Sequence, residues 1–194
     1  DQVKALTTDQ VQALSVTQMA NLGSTQVAAL TTDQMVAFST AQVAALGSTQ
    51  IAALSTDQLN AMRATQIGVM TSAQINALTS TQLAGMRDSQ VAAFNSQRMG
   101  SIDTSVLQNM TAGQIQSMTT SQIISLIDTQ LAALGTAQIA SMKATQIKAI
   151  ETRDLSGLTT GQMVALTSTQ VGAFSTNQLA ALSAGQMAAI ETQD

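Results

Sequence analysis

Residues 30–38, Leu30-Thr31-Thr32-Asp33-Gln34-Met35-Val36-Ala37-Phe38, hold one full copy of the unit from which this chain is built. Thr31 is an N-cap residue type, and Gln34 follows it by three positions, the spacing of a capping box. In such a box the cap hydroxyl accepts the amide of the third helical residue. That residue's side chain reaches back to the cap amide. Leu30 and Met35 flank the pair at the two positions of a hydrophobic staple. Asp33 falls in the first turn, where the helix dipole favours negative charge.

The same grammar recurs every eight residues. With Thr31 to Phe38 labelled a to h, position d is Gln from Gln2 to Gln186 except at Arg98, Val106 and Asp154, and the final d residue is Asp194. Position e is Val, Ile, Leu or Met in all 24 copies, and h is Leu, Met, Phe or Ile in all 24. Position a is Thr, Ser, Gly, Asn or Asp in 18 of the 24 copies, which makes a helix start the reading of nearly every octad. Position g is small almost throughout, so a neighbouring unit can approach closely there.

One continuous helix is excluded by geometry. Eight residues advance roughly 800° and overshoot two turns by roughly 80°, so the e and h stripe would wind around the helix instead of facing one core. Each octad therefore reads as a helix of about one and a half turns from b to g, ending where the next cap begins. The fold class is all-α: a solenoid of very short capped helices, one per octad. The alternative is a β-solenoid with one strand per octad, for which the abundance of Thr, Val and Ile speaks. Against it, e and h are three apart and would point to opposite faces of a strand. Gly is also too sparse to supply a turn per octad.

A longer period overlies the octad. Asp9, Asp33 and Asp57 are spaced by three octads, as are Gly23 and Gly47, and Arg63 and Arg87. Three octads per coil would set these in columns; a duplicated 24-residue unit would leave the same trace. No single octad can offset its ordering entropy with two large apolar side chains, so stacking is required.

Composition narrows the function classes. Charged residues make up 9% of the chain, against about 25% in ordinary domains, and the net charge is −4. No basic stripe exists for phosphate neutralisation, so no nucleic-acid partner is expected. No apolar run approaches the roughly 18 residues of a membrane span. His, Cys, Tyr, Trp and Pro are absent. Nucleophile activation and acid–base chemistry would fall on carboxylates or lysines alone, and no catalytic site is expected.

The charge clusters are Arg87-Asp88 and Glu151 with Arg153-Asp154, read as solvated local ion pairs. The Asp residues at c do not offer calcium the six to eight oxygens of a closed shell. No metal or cofactor is expected, and the Met residues at e and h are core material because they alternate with Leu and Ile. The stretch Asn95 to Asn109 breaks the pattern, with Gln97 slipped to c, and Glu151 to Leu158 is a weaker break. Either could be sequence drift, a bend or a docking patch.

The pattern [Ser/Thr]-x-x-Gln-[Val/Ile/Leu/Met]-Ala-Ala-[Leu/Met] resembles repeat regions of very large bacterial secreted or surface proteins of adhesin-like type. That resemblance implies an extracellular or cell-surface stalk or filament. The run Leu-Thr-Thr-Asp-Gln-Val also resembles helix starts in the DNA-binding repeats of plant-pathogen effectors, where only the capping grammar is shared. Residues 1–194 read as one continuous array, begun and ended inside a repeat at Asp1 and Asp194, and so as a segment of a longer one. The expected function is a non-enzymatic structural repeat protein that associates with itself, laterally or end to end. The alternative is a surface-binding module for ice or polysaccharide that uses regular rows of Thr.

Overall fold

The structure is a computed structural model and describes residues 2–191; Asp1 and Asp194 lie outside the described residues. The described residues contain helices and no strand, which removes the β-solenoid alternative. They group into two compact units, Asp1–Asn95 and Ser96–Asp194.

Most octads form one α-helix running from b to f or g, as in Thr8–Ala13, Ser24–Ala28 and Thr32–Ala37. The corner between helices is made by h and a, both extended. Phe38 has φ −57° and ψ 137°, and Ser39 has φ −72° and ψ 160°. No described residue has a positive φ. The corner therefore makes no demand for glycine, and that is why a solenoid that turns every eight residues carries so few.

Within each unit, helices pack on those three octads earlier. In the first unit Thr8–Ala13 packs on Thr32–Ala37, which packs on Thr56–Ala61; Val16–Ala20 packs on Thr40–Ala45. In the second, Ala112–Ser117 packs on Thr136–Ser141, and Thr120–Ile124 on Ala144–Ala149. Three octads make one coil. The 24-residue columns in the sequence are thus structural neighbours.

Positions d, e and h share one helix face, because residues one and four apart lie within a single stripe. That face forms the core. Met35, Phe38, Met62, Ile67 and Met70 have no exposed surface, nor have Met99, Leu107, Ile115 and Leu155 in the second unit. The opposite face is alanine at most f positions, and Ala28, Ala44, Ala52, Ala132, Ala180 and Ala188 are all exposed. Small g residues lie against position b one coil earlier. Ser141 Oγ donates to the Ala112 carbonyl at 3.0 Å. At Gly157 the approach is closer still: a Cβ would overlap the Asp128 carbonyl group.

Candidate functional site: the glutamine seam

The chemistry that repeats along this chain is that of a buried carboxamide. Gln42 shows its full arrangement. Its Oε1 accepts the Ser39 amide at 2.8 Å, while Ser39 Oγ accepts the Gln42 amide at 3.2 Å, which completes the capping box. Its Nε2 turns the other way and donates to the carbonyls of Val11 at 2.8 Å and Leu14 at 2.7 Å. Those carbonyls end the helix Thr8–Ala13, one coil back. The Val11 carbonyl also accepts the Leu14 amide at 3.2 Å, and the Leu14 carbonyl lies just beyond the last helical residue, where no intrahelical donor follows. One side chain therefore caps the start of its own helix and the finish of another.

The second unit repeats the geometry. Gln170 Oε1 accepts the Thr167 amide at 2.8 Å, and Nε2 donates to Ile139 at 2.9 Å and Met142 at 2.7 Å. Among the described residues eighteen polar or charged residues are buried, and 17 of them are d-position glutamines; the other is Asp154. A carboxamide offers an acceptor and a donor at the two ends of one planar group without titrating. An ionised Glu would satisfy the box equally well but would set an anionic oxygen against two carbonyls. No d position in the sequence is Glu.

Where a lacks a hydroxyl, the glutamine half of the box persists. Gln26, Gln50 and Gln138 accept the amides of Gly23, Gly47 and Gly135 at 2.7, 2.6 and 2.7 Å. Arg63 and Arg87 add a further tie: Arg63 Nη2 donates to Phe38 O at 3.3 Å, and Arg87 Nη2 to Asn60 O at 2.8 Å and Met62 O at 3.3 Å. The guanidinium of Arg87 is thus engaged with the coil before it, a use the adjacent Asp88 did not suggest.

The remaining charges fall as follows. Asp9, Asp33 and Asp57 are exposed in the first turns of their helices, as the dipole argument expects. Arg153 pairs with Glu151 at 2.5 Å and approaches Asp154 at 3.4 Å. The expectation of a wholly solvated cluster is corrected at one residue: Asp154 is 6% exposed, because it occupies the inward d position. Its octad winds into a 3-10 helix, Thr152–Gly157. An open groove of about 590 Å³ passes this octad, lined by Ile124, Lys148, Glu151, Arg153, Asn177 and Gln178 among others. Ser96–Ser101, with Arg98 at d, is likewise a 3-10 helix. Asn95 and Ser96 are also where the two units divide. The next octad keeps its α-helix, Thr104–Asn109, with Val106 and Leu107 buried. Among the described residues no three acidic side chains gather to hold a metal ion. No described helix is long and apolar enough to cross a membrane.

A model of the ALTTAQ repeat matches residues 3–40, 35–64, 56–88 and 147–184. The chain belongs to the ALTTAQ repeat family. Those six letters fall on positions g to d, as in Ala29-Leu30-Thr31-Thr32-Asp33-Gln34, and so span the helix end, the extended corner and the capping box. No curated protein matches the chain.

Sequence reasoning found half of this site. The capping box is local and was legible, whereas the Nε2 acceptors lie 28 and 31 residues away on another coil. The available signal was the strict choice of Gln over Glu, which a capping box alone does not require.

Proposed function

We propose that the chain is a non-enzymatic structural repeat protein, a segment of an extracellular or bacterial cell-surface stalk, scaffold or self-assembling filament. The observation that supports this most directly is where its polar side chains are spent. Most glutamines are consumed in holding coil to coil and most cap hydroxyls in starting their own helices, and neither set gathers in a cleft. Catalysis requires the opposite, a few polar groups converging on one reacting atom. The resemblance of the octad to adhesin-like surface proteins supports the location. The alanine-rich outer face, low in charge, supports lateral or end-to-end association.

The reading of Thr rows as an ice- or polysaccharide-binding face has less support. Cap hydroxyls such as those of Thr31, Thr71 and Thr79 accept the amide of their own glutamine. Those hydroxyls are engaged within their own octads. Negative-stain microscopy with light scattering over a wide concentration range tests the structural reading. Ordered assemblies are the expected result; a chain that stays monomeric at the highest concentration would count against self-assembly.

A further inference from the structure

Two neighbouring positions on the second unit break the octad's pattern toward solvent. Ile124 stands at f, where alanine is usual, and is 42% exposed. Ile127 stands at a, the cap position, and is 41% exposed. Its side chain makes no capping bond, and only the glutamine half of the box survives there, with the Ile127 amide donating to Gln130 Oε1 at 3.0 Å. An isoleucine at that point gives up the cap hydroxyl and leaves apolar surface in water. Departures from a local rule without a gain for the fold mark functional surface.

The next coil carries charge in the same two columns. Lys148 and Glu151 follow Ile124 and Ile127 by three octads. Thr120–Ile124 packs on Ala144–Ala149, and Asp128–Ala133 on the 3-10 octad Thr152–Gly157, so each charged residue lies one coil from its isoleucine. Ile124, Lys148 and Glu151 line the same open groove of about 590 Å³. Lys148 is exposed and has no ion pair among the described residues. Arg153 pairs with Oε2 of Glu151, and Oε1 takes no part in that pair.

These four residues are complementary to themselves. A two-fold axis parallel to the stack of coils, placed between the f and a columns, sets each f residue of one copy across from the a residue of the other on the same level. Ile124 of one copy then meets Ile127 of the other, and Lys148 meets Glu151, each contact being made twice. The adjoining levels oppose Gly100 to Asp103 and Gly172 to Ser175, so glycine leaves room at f on both sides. No other f and a pair of this unit places two large apolar residues, or a cation and an anion, on one level.

We propose that the second unit pairs side by side with the same unit of a second copy, in parallel, through Ile124 and Ile127 at the centre and Lys148 with Glu151 beside them. An apolar centre bordered by opposed charges is the usual anatomy of a protein interface, and the charges fix its register. The contact is isologous and closes at two, so it yields dimers and not an open lattice. It rests on the self-association reading above and assigns it a lateral interface.

A charge swap tests the pairing. Lys148→Glu and Glu151→Lys each put like charges face to face at both contacts, and each should weaken the dimer about tenfold or more. The double variant K148E/E151K restores opposite charges across the interface and should recover most of that loss, although it lacks the pair between Glu151 and Arg153. I124A/I127T returns both positions to residue types common there and should remove association. Sedimentation equilibrium over a concentration series gives the dissociation constants, with circular dichroism to establish that all variants fold alike. If the wild type associates and the single variants do so equally, or if the swap fails to restore what they lose, the interface is wrong and the self-association reading stands. A wild type that stays monomeric throughout overturns both.

Discussion

Gln74 Nε2 lies 2.7 Å from the carbonyl oxygen of Leu46, 28 residues earlier in the chain, while its Oε1 accepts the Thr71 amide at 2.7 Å. The first contact joins two coils, and the second starts a helix. Both depend on one planar group that is 2% exposed, so neither can be lost without the other being disturbed.

Gln74→Leu should therefore be costly even though the position is buried and leucine suits a core. It leaves the Thr71 amide and the Leu46 carbonyl unpaired, and each orphaned buried group costs about 1–3 kcal/mol. Gln10→Leu loses only the capping contact in an exposed setting and should cost under about 1 kcal/mol. Urea unfolding followed by circular dichroism ranks the two, and equal losses would show that the contact between coils contributes little.

Thr31 and Thr32 differ in kind although they are adjacent and identical in type. The Thr31 hydroxyl accepts the Gln34 amide at 3.2 Å, whereas Thr32 is the exposed first residue of its helix. Thr31→Ala should cost about 1 kcal/mol and Thr32→Ala close to nothing. The difference is read from the midpoints of thermal or urea transitions.

Glycine substitutions should split by position. At Gly157 a Cβ would meet the Asp128 backbone, so Gly157→Ala forces two coils apart and destabilises the second unit by more than about 1 kcal/mol. At Gly47 a Cβ meets only Gln50 Oε1 at an ordinary 3.5 Å, and φ is −78°. Gly47→Ser restores the missing hydroxyl and restricts the unfolded chain, for a gain of about 0.5–1 kcal/mol. A stabilising Gly157→Ala would contradict the close packing of g on b.

Asp154 occupies a latch position with the wrong functional group. Asp154→Gln should supply a donor toward the preceding coil and draw the 3-10 octad Thr152–Gly157 toward the α-helical form of its neighbours. The expected result is slower amide hydrogen exchange across residues 151–158 and a stabilisation of about 1 kcal/mol. Unchanged exchange there would mean that this octad is held in its present form by something other than residue 154.

How far the sequence reading reached follows from the range of each interaction. The capping box, the staple and the buried e and h positions arise within one octad, and all were visible in Leu30 to Phe38. The three-octad coil was visible only as faint columns, and the structure gives one of those columns a cause: Arg63 and Arg87 each reach a carbonyl one coil back. The second half of the glutamine's role was hidden because its acceptors are remote in sequence. The 3-10 octads Ser96–Ser101 and Thr152–Gly157 were recognisable as breaks at Arg98 and Asp154. Their conformation was not, since Val106 breaks the same rule and its octad remains α-helical.

The absence of any special residue at the corners bears on how such a chain can change its copy number. Because h and a turn the backbone in ordinary extended conformations, every octad joins to every other by the same joint. Gaining or losing a single octad would shift later residues by one third of a coil, yet each glutamine would still find an h carbonyl above it. What such a shift would break is the sparse vertical matching, such as Gly157 beneath Asp128 or Arg87 beneath Met62. Length in this design is constrained by its few exceptions, and insertions in threes would leave even those in step.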